Sequence, residues 1–155
     1  MPSLFITTAL VALGSFVVLW LVSIVVRDAS IVDPVWGASF ALVTWVALFR
    51  AGDPGSRQIL VATLVTIWGT RLVVHLTVRK LGQPEDYCYR AMRRRWGHQF
   101  SLVSLGTVFV LQASLMWVVS LPAQVAMLSP DNLGPLSFVG LFVCSVGLFY
   151  EAVGD

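Results

Sequence analysis

Between Leu4 and Val26 the chain runs 23 residues without a charged side chain. A helix needs roughly 20 apolar residues to cross a hydrocarbon core of about 30 Å, so this run alone restricts the fold to architectures with a membrane span. Four further runs follow. Val35 to Phe49 is shorter, but Asp33-Pro34 precedes it. An acid at N-cap with proline at N1 is a standard helix start, so this helix is short or begins in the interface. Ile59 to Val78 is interrupted by Arg71 and His75, Leu102 to Leu121 meets Pro122 at its end, and Leu133 to Val153 carries Glu151 near its close. The expected fold is all-α, a polytopic transmembrane bundle with five helices. The first run is longer than a signal-peptide core and no Lys or Arg precedes it, so it reads as a retained span.

Composition agrees. The chain is 57% hydrophobic and 12% charged, against about 25% charged in soluble domains, too little to cover a water-facing surface. Cys88 and Cys144 give neither a disulfide framework nor a metal-binding spacing. Walker A, GxGxxG, HExxH and GxSxG motifs are absent, and no repeat or linker divides the chain. Residues 1–155 therefore read as one membrane domain, with no metal and no nucleic-acid partner expected.

The cations are unevenly placed. Of the ten Lys and Arg residues, Arg79, Lys80, Arg90, Arg93, Arg94 and Arg95 fall in the connection between the third and fourth runs. Arg27 lies in the first connection, Arg50 and Arg57 in the second, and none in the fourth. Putting connections one and three in the cytoplasm leaves seven cations inside and two outside. The positive-inside rule then places the N-terminus outside, and the C-terminus and residues 79–100 in the cytoplasm. Within this island Pro84, Glu85 and Asp86 resemble a first helical turn, Arg93 to Arg95 a last one, and Gly97 a stop. Cys88, Met92 and Trp96 share a face, giving a short amphipathic helix at the membrane surface. Its arginines either anchor topology against anionic headgroups or meet an anionic ligand such as a nucleotide phosphate.

Polar groups inside a span are functional candidates because they are costly there. Arg71, His75 and Arg79 recur every four residues on one face of the third helix, joined by Thr63, Thr66, Thr70 and Thr77. That face turns toward a polar cavity or toward other helices. His75 can act as proton donor, as hydrogen-bond donor to a carbonyl, or as structural glue. Asp33 needs no role beyond capping. Glu151 and Asp155 oppose the macrodipole at the end of the fifth helix, which invites partner arginines or ligand hydroxyls. Gly140, Gly147 and Gly154, with Cys144, form a small-residue stripe that predicts close helix packing. The six tryptophans fit interface belts, and Gln112 and Gln124 read as structural.

An ordered series of motifs runs through the chain. Asp33-Pro-Val-Trp36-Gly37 is followed by Trp68-Gly-Thr-Arg71-Leu-Val-Val-His75-Leu-Thr-Val-Arg79 and by Gly82-Gln-Pro-Glu85-Asp86-Tyr-Cys-Tyr89-Arg90-Ala-Met92-Arg93. Trp96-Gly97-His-Gln-Phe100, Phe109-Val-Leu-Gln112, Val119-Ser-Leu-Pro122 and Glu151-Ala-Val-Gly154-Asp155 complete it. Over nearly its whole length the chain resembles the bacterial branch of the steroid 5-alpha-reductase-like family of integral membrane proteins. The resemblance implies a bacterial inner-membrane bundle of about seven helices with an outside N-terminus. It also implies NADPH-dependent reduction of the conjugated double bond of a steroid-like or other lipid enone. Asp155, with Glu151 and Arg79, then resembles cofactor-binding positions. His75, the candidate catalytic group, lies with Arg79 in a His-x-x-x-Arg stretch near the cavity. Arg71 and Asp33 are candidates for the substrate cavity. The family pattern continues past the Gly-Asp pair with two helices that carry much of the NADPH site. The chain thus reads as the N-terminal part of such an enzyme, inactive in isolation and expected to associate with those helices.

Two other readings stay open from the sequence. One is part of a membrane methyltransferase of the isoprenylcysteine type. The other is a non-catalytic membrane subunit that pairs with another chain.

Overall fold

The structure, a computed structural model, describes residues 2–128 and 132–154. Helix α1 spans Pro2–Val26, α2 Val32–Ala51 and α3 Ser56–Lys80. Helix α4, Tyr87–Trp96, leads through a 3-10 turn into α5, Phe100–Ser104, a π-helical stretch Leu105–Val110 and α6, Leu111–Val119. A short α7, Leu121–Ala126, precedes α8, Pro135–Gly154. No strand occurs among the described residues. Five stretches are long and apolar enough to cross a membrane, and each overlaps one of the five apolar runs; the fourth, Tyr87–Val119, also takes in the island helix. The fold is an all-α bundle of the expected class.

Local chemistry explains the departures at the boundaries. Asp28, not Asp33, caps the second span. Its carboxylate accepts from Ser30 N at 2.9 Å, and a 3-10 turn at Ala29–Ile31 feeds directly into α2. Asp33 and Pro34 therefore lie inside the first turn, where proline is tolerated because those N–H groups have no intrahelical acceptor. Asp86 similarly caps α4 through Cys88 N at 2.9 Å, so the island helix starts after Pro84–Asp86 rather than on them. Gly97 stops α4 as expected, with φ +48°. Pro122 does not continue the fourth span; it opens α7 near its N1 position.

Helices α2 and α3 cross most closely. At their crossing Gly37 and Gly69 put backbone on backbone: a Cβ on Gly69 would lie 2.5 Å from Gly37 O. Trp45 Nε1 bonds Thr66 Oγ1 across the same pair at 2.9 Å. Trp36, Phe40 and Trp68 stack edge to face, with centroids 5.0 and 5.3 Å apart. Glycine-mediated packing is thus present, but on α2 and α3 rather than on α8. A Cβ added at Gly140, Gly147 or Gly154 would meet nothing within 4 Å, and α8 buries no residue. Four of the tryptophans also tie elements together. The indoles of Trp20, Trp45, Trp68 and Trp117 each donate to another element.

Two apolar clusters hold the rest. Phe16, Val32, Phe40, Val43, Phe109 and Met116 pack between α1, α2 and the π-to-α6 stretch. Leu4, Ala47, Leu48, Ala62 and Met127 form a second cluster at the end remote from the island. Beside the second cluster, buried Gln124 accepts from Thr8 Oγ1 at 2.6 Å and donates to Ser120 Oγ at 2.7 Å. Buried Gln58 donates to Met127 O at 2.6 Å. Buried amides stay only where every hydrogen-bonding group is met, so Gln124 is structural as read, and α7 is tied to the bundle through it.

Candidate functional site

The charged island does not hang from the bundle; it is folded back onto the first connection. Glu85 is the hinge of this arrangement. Its carboxylate takes a bidentate pair from Arg93, at 2.8 and 3.1 Å, and a third bond from Ala29 N at 2.9 Å. Arg93 also donates to Arg27 O at 3.3 Å and lies 4.2 Å above the Phe100 ring. Bidentate guanidinium–carboxylate pairs are the stronger kind of ion pair, and Glu85 is largely shielded here, with its side chain 10% exposed. Lys80 makes a second clasp. It pairs with Asp28 Oδ2 at 3.0 Å and donates to the Ser30 hydroxyl. Ser30 Oγ in turn donates to Asp28 and accepts from Asp86 N at 3.2 Å. Partial burial pushes the Asp28 carboxyl up, but the bonds from Ser30 and Lys80 outweigh it and hold the group below its ordinary value.

Between these clasps and the end of α3 lies a cleft of about 480 Å³, within the range of small-molecule sites. Asp33, Arg79, Lys80, Glu85, Asp86 and Arg90 supply its polar wall, and Pro34 and Leu76 its apolar one. Arg79 and Arg90 are exposed and have no anionic partner among the described residues. Asp33 is reached by the Tyr89 hydroxyl, which donates to Oδ1 at 3.2 Å. Trp36 follows Asp33 on the same helical face. Its indole N–H is buried without an acceptor among the described residues.

The sequence candidates therefore fall into two groups. Asp33 and Arg79 come together in the cleft. Arg71 and Glu151 meet deeper in the bundle, with Arg71 Nη1 3.0 Å from Glu151 Oε1 and Trp68 Nε1 donating to Oε2 at 3.0 Å. An arginine partner is what an acid at a helix C-terminus invited. His75 lies on α3 between the groups, one turn from Arg71 and one from Arg79. Asp155 lies outside the described residues. Sequence reasoning missed Asp28, Ser30 and Lys80 as clasp residues and Trp68 as the second donor to Glu151. The one signal in the sequence was the assignment of connections one and three to one face, which puts Asp28 beside the cations of the island.

A polytopic membrane bundle with a polar cleft at one end is the class these features define. The chain belongs to the family described as "Protein of unknown function (DUF1295)", which matches residues 19–155. Comparison with curated proteins and with solved structures returned no match.

Proposed function

We propose that this membrane domain serves the NADPH-dependent reduction of a double bond conjugated to a carbonyl, in a steroid-like or other lipid. The carrying observation is the cleft itself. It joins arginines with no anionic partner among the described residues to an apolar wall at the end of spans long enough to cross a membrane. A water-soluble cofactor and a membrane-soluble substrate can meet only where such surfaces adjoin. The motif series from Asp33 to Asp155 and its resemblance to the steroid 5-alpha-reductase-like proteins support the same reading.

The residues present fit the polar half of NADPH. Arg79 and Arg90 are cations of the kind that bind phosphate, and Asp33 and Asp86 are acceptors suited to ribose hydroxyls. When bound, the cofactor supplies the hydride. The chain's own residues do the rest. Arg79 neutralises phosphate charge at the mouth. Asp33 is held in place by the Tyr89 hydroxyl. His75, inside the span, is the candidate to hold a proton close to the reacting lipid, while the apolar wall keeps bulk water away.

The reading is tested in membranes carrying the natural gene product. NADPH consumption is followed by absorbance with and without an enone lipid, such as a 3-keto-4-ene steroid. Substrate-dependent consumption above that of membranes lacking the protein, lost in His75→Ala, supports it. Equal consumption in the two membrane samples refutes it.

A further inference from the structure

We propose that the outward face of α4 is a binding site for the phosphate headgroup of anionic phospholipid. The island sorts its charges. Glu85 is spent on Arg93 and Ala29 N, Asp28 on Lys80, and Asp86 on capping Cys88 N. Every acid of the clasp is thus turned to an internal partner. The cations left over on α4 are Arg90, Arg94 and Arg95, all exposed, and none faces a carboxylate among the described residues. Arg95 lies near the Trp96 ring, 5.9 Å from its centroid. Tyr87, Arg90, Ala91, Arg94 and Arg95 line a concavity of about 540 Å³ that adjoins the Asp33 cleft along Tyr87 and Arg90.

Arg90 and Arg94 are four residues apart on one helix, so their side chains rise side by side. Two like charges at that spacing repel unless an anion lies between them. One phosphate can accept from both forks. The position of α4 supplies the phosphate. A 3-10 turn at Gly97–Gln99 joins α4 to α5 within the same long stretch, Tyr87–Val119, as the fourth span, and Met92 and Tyr89 pack the inner face of α4 on the bundle core. The arginine face therefore stays at the bilayer boundary, flanked by Tyr87 and Trp96, both exposed. Aromatic side chains at that level favour the headgroup region. A cation near an anionic surface gains roughly five-fold in lipid preference. The inference does not rest on the reductase reading: Arg94 and Arg95 lie outside the Asp33 cleft, and Arg90 borders both cavities.

Native mass spectrometry of the detergent-purified protein, titrated with phosphatidylglycerol or phosphatidylcholine, tests it. The protein should retain phosphatidylglycerol in clear preference. Arg90→Gln with Arg94→Gln should reduce that preference about twenty-fold, and Arg90→Lys with Arg94→Lys should keep most of it. Arg50→Gln, in another connection, should change nothing. Equal retention of the two lipids by the unaltered protein overturns the proposal, as does a double Gln variant that keeps the preference. Displacement of the lipid by millimolar inorganic phosphate also overturns it, since that would mark a site for soluble phosphate.

Discussion

Replacing Gly69 by alanine isolates the contact on which the α2–α3 pair depends. The new Cβ would lie 2.5 Å from Gly37 O and 3.3 Å from Gly37 C. Ordinary contact begins near 3.4 Å, so the two helices must part locally by about 0.9 Å. The obstacle is backbone and cannot rotate aside. A radial gap of that size forfeits a quarter to a half of each dispersion well along the seam. Overpacking of this kind typically costs about 1–3 kcal/mol, and alanine returns up to about 1 kcal/mol in helix propensity. The net expectation for Gly69→Ala is a loss of about 1–2 kcal/mol, and Gly69→Val should lose more. The matched control is Gly147→Ala on α8, where the added Cβ meets nothing within 4 Å. That variant should be neutral or slightly stabilised. Reversible unfolding in mixed micelles, titrated with SDS and read by far-UV circular dichroism, gives both values. If Gly69→Ala and Gly147→Ala unfold together, the close crossing is not as described.

Three other outcomes follow from named contacts. Lys80→Ala removes the clasp on Asp28 and Ser30, so amide exchange should accelerate by at least ten-fold across residues 82–90 while the cores of α1 and α2 stay protected; unchanged exchange in the island would count against the clasp. Asp28 has a lowered folded value, so its contribution is fully present above the ordinary value of 3.8 and fades as pH falls from there through the folded value; island exchange should rise below about pH 4 in the unaltered protein, with a smaller rise in Asp28→Asn. Glu151→Gln weakens the tie from Arg71 and Trp68 to α8, and spin-label distances between α3 and α8 should broaden; a distribution as narrow as in the parent would show that α8 is held by other means.

The spans were legible because the membrane imposes a length and a composition that few other structures meet. That connections one and three lie at one end was legible too, and the bonds from Glu85 to Ala29 and from Lys80 to Asp28 bear it out. Partners were not. The spacing of Gly140, Gly147 and Gly154 identifies a face of α8, but a periodic stripe says nothing about what lies across from it. The tight crossing went instead to Gly37 and Gly69, one glycine on each helix, with no repeat to mark them. Glu85 looked like a dipole-complementing acid because local reading sees only its own helix end. Its three bonds reach Arg93 and Ala29, the latter 56 residues away, and only the folded chain brings them together. Asp33 and Arg79 were each singled out from sequence, Asp33 as a cap and Arg79 as part of a polar face. That they face one cleft follows from the clasp, which folds the island over the start of α2.

The central claim is that this cleft receives the phosphate end of NADPH, and the affinity ratio of NADPH to NADH tests it most directly. The titration uses the natural gene product in nanodiscs, with ligand fluorescence as the signal. A charge-assisted bond to phosphate contributes about 1.5–3 kcal/mol, so Arg79→Gln should weaken NADPH binding about 10- to 100-fold. NADH binding, lacking the extra phosphate, should change less. Equal NADPH affinity in the two proteins, or no measurable binding to either, would contradict the account.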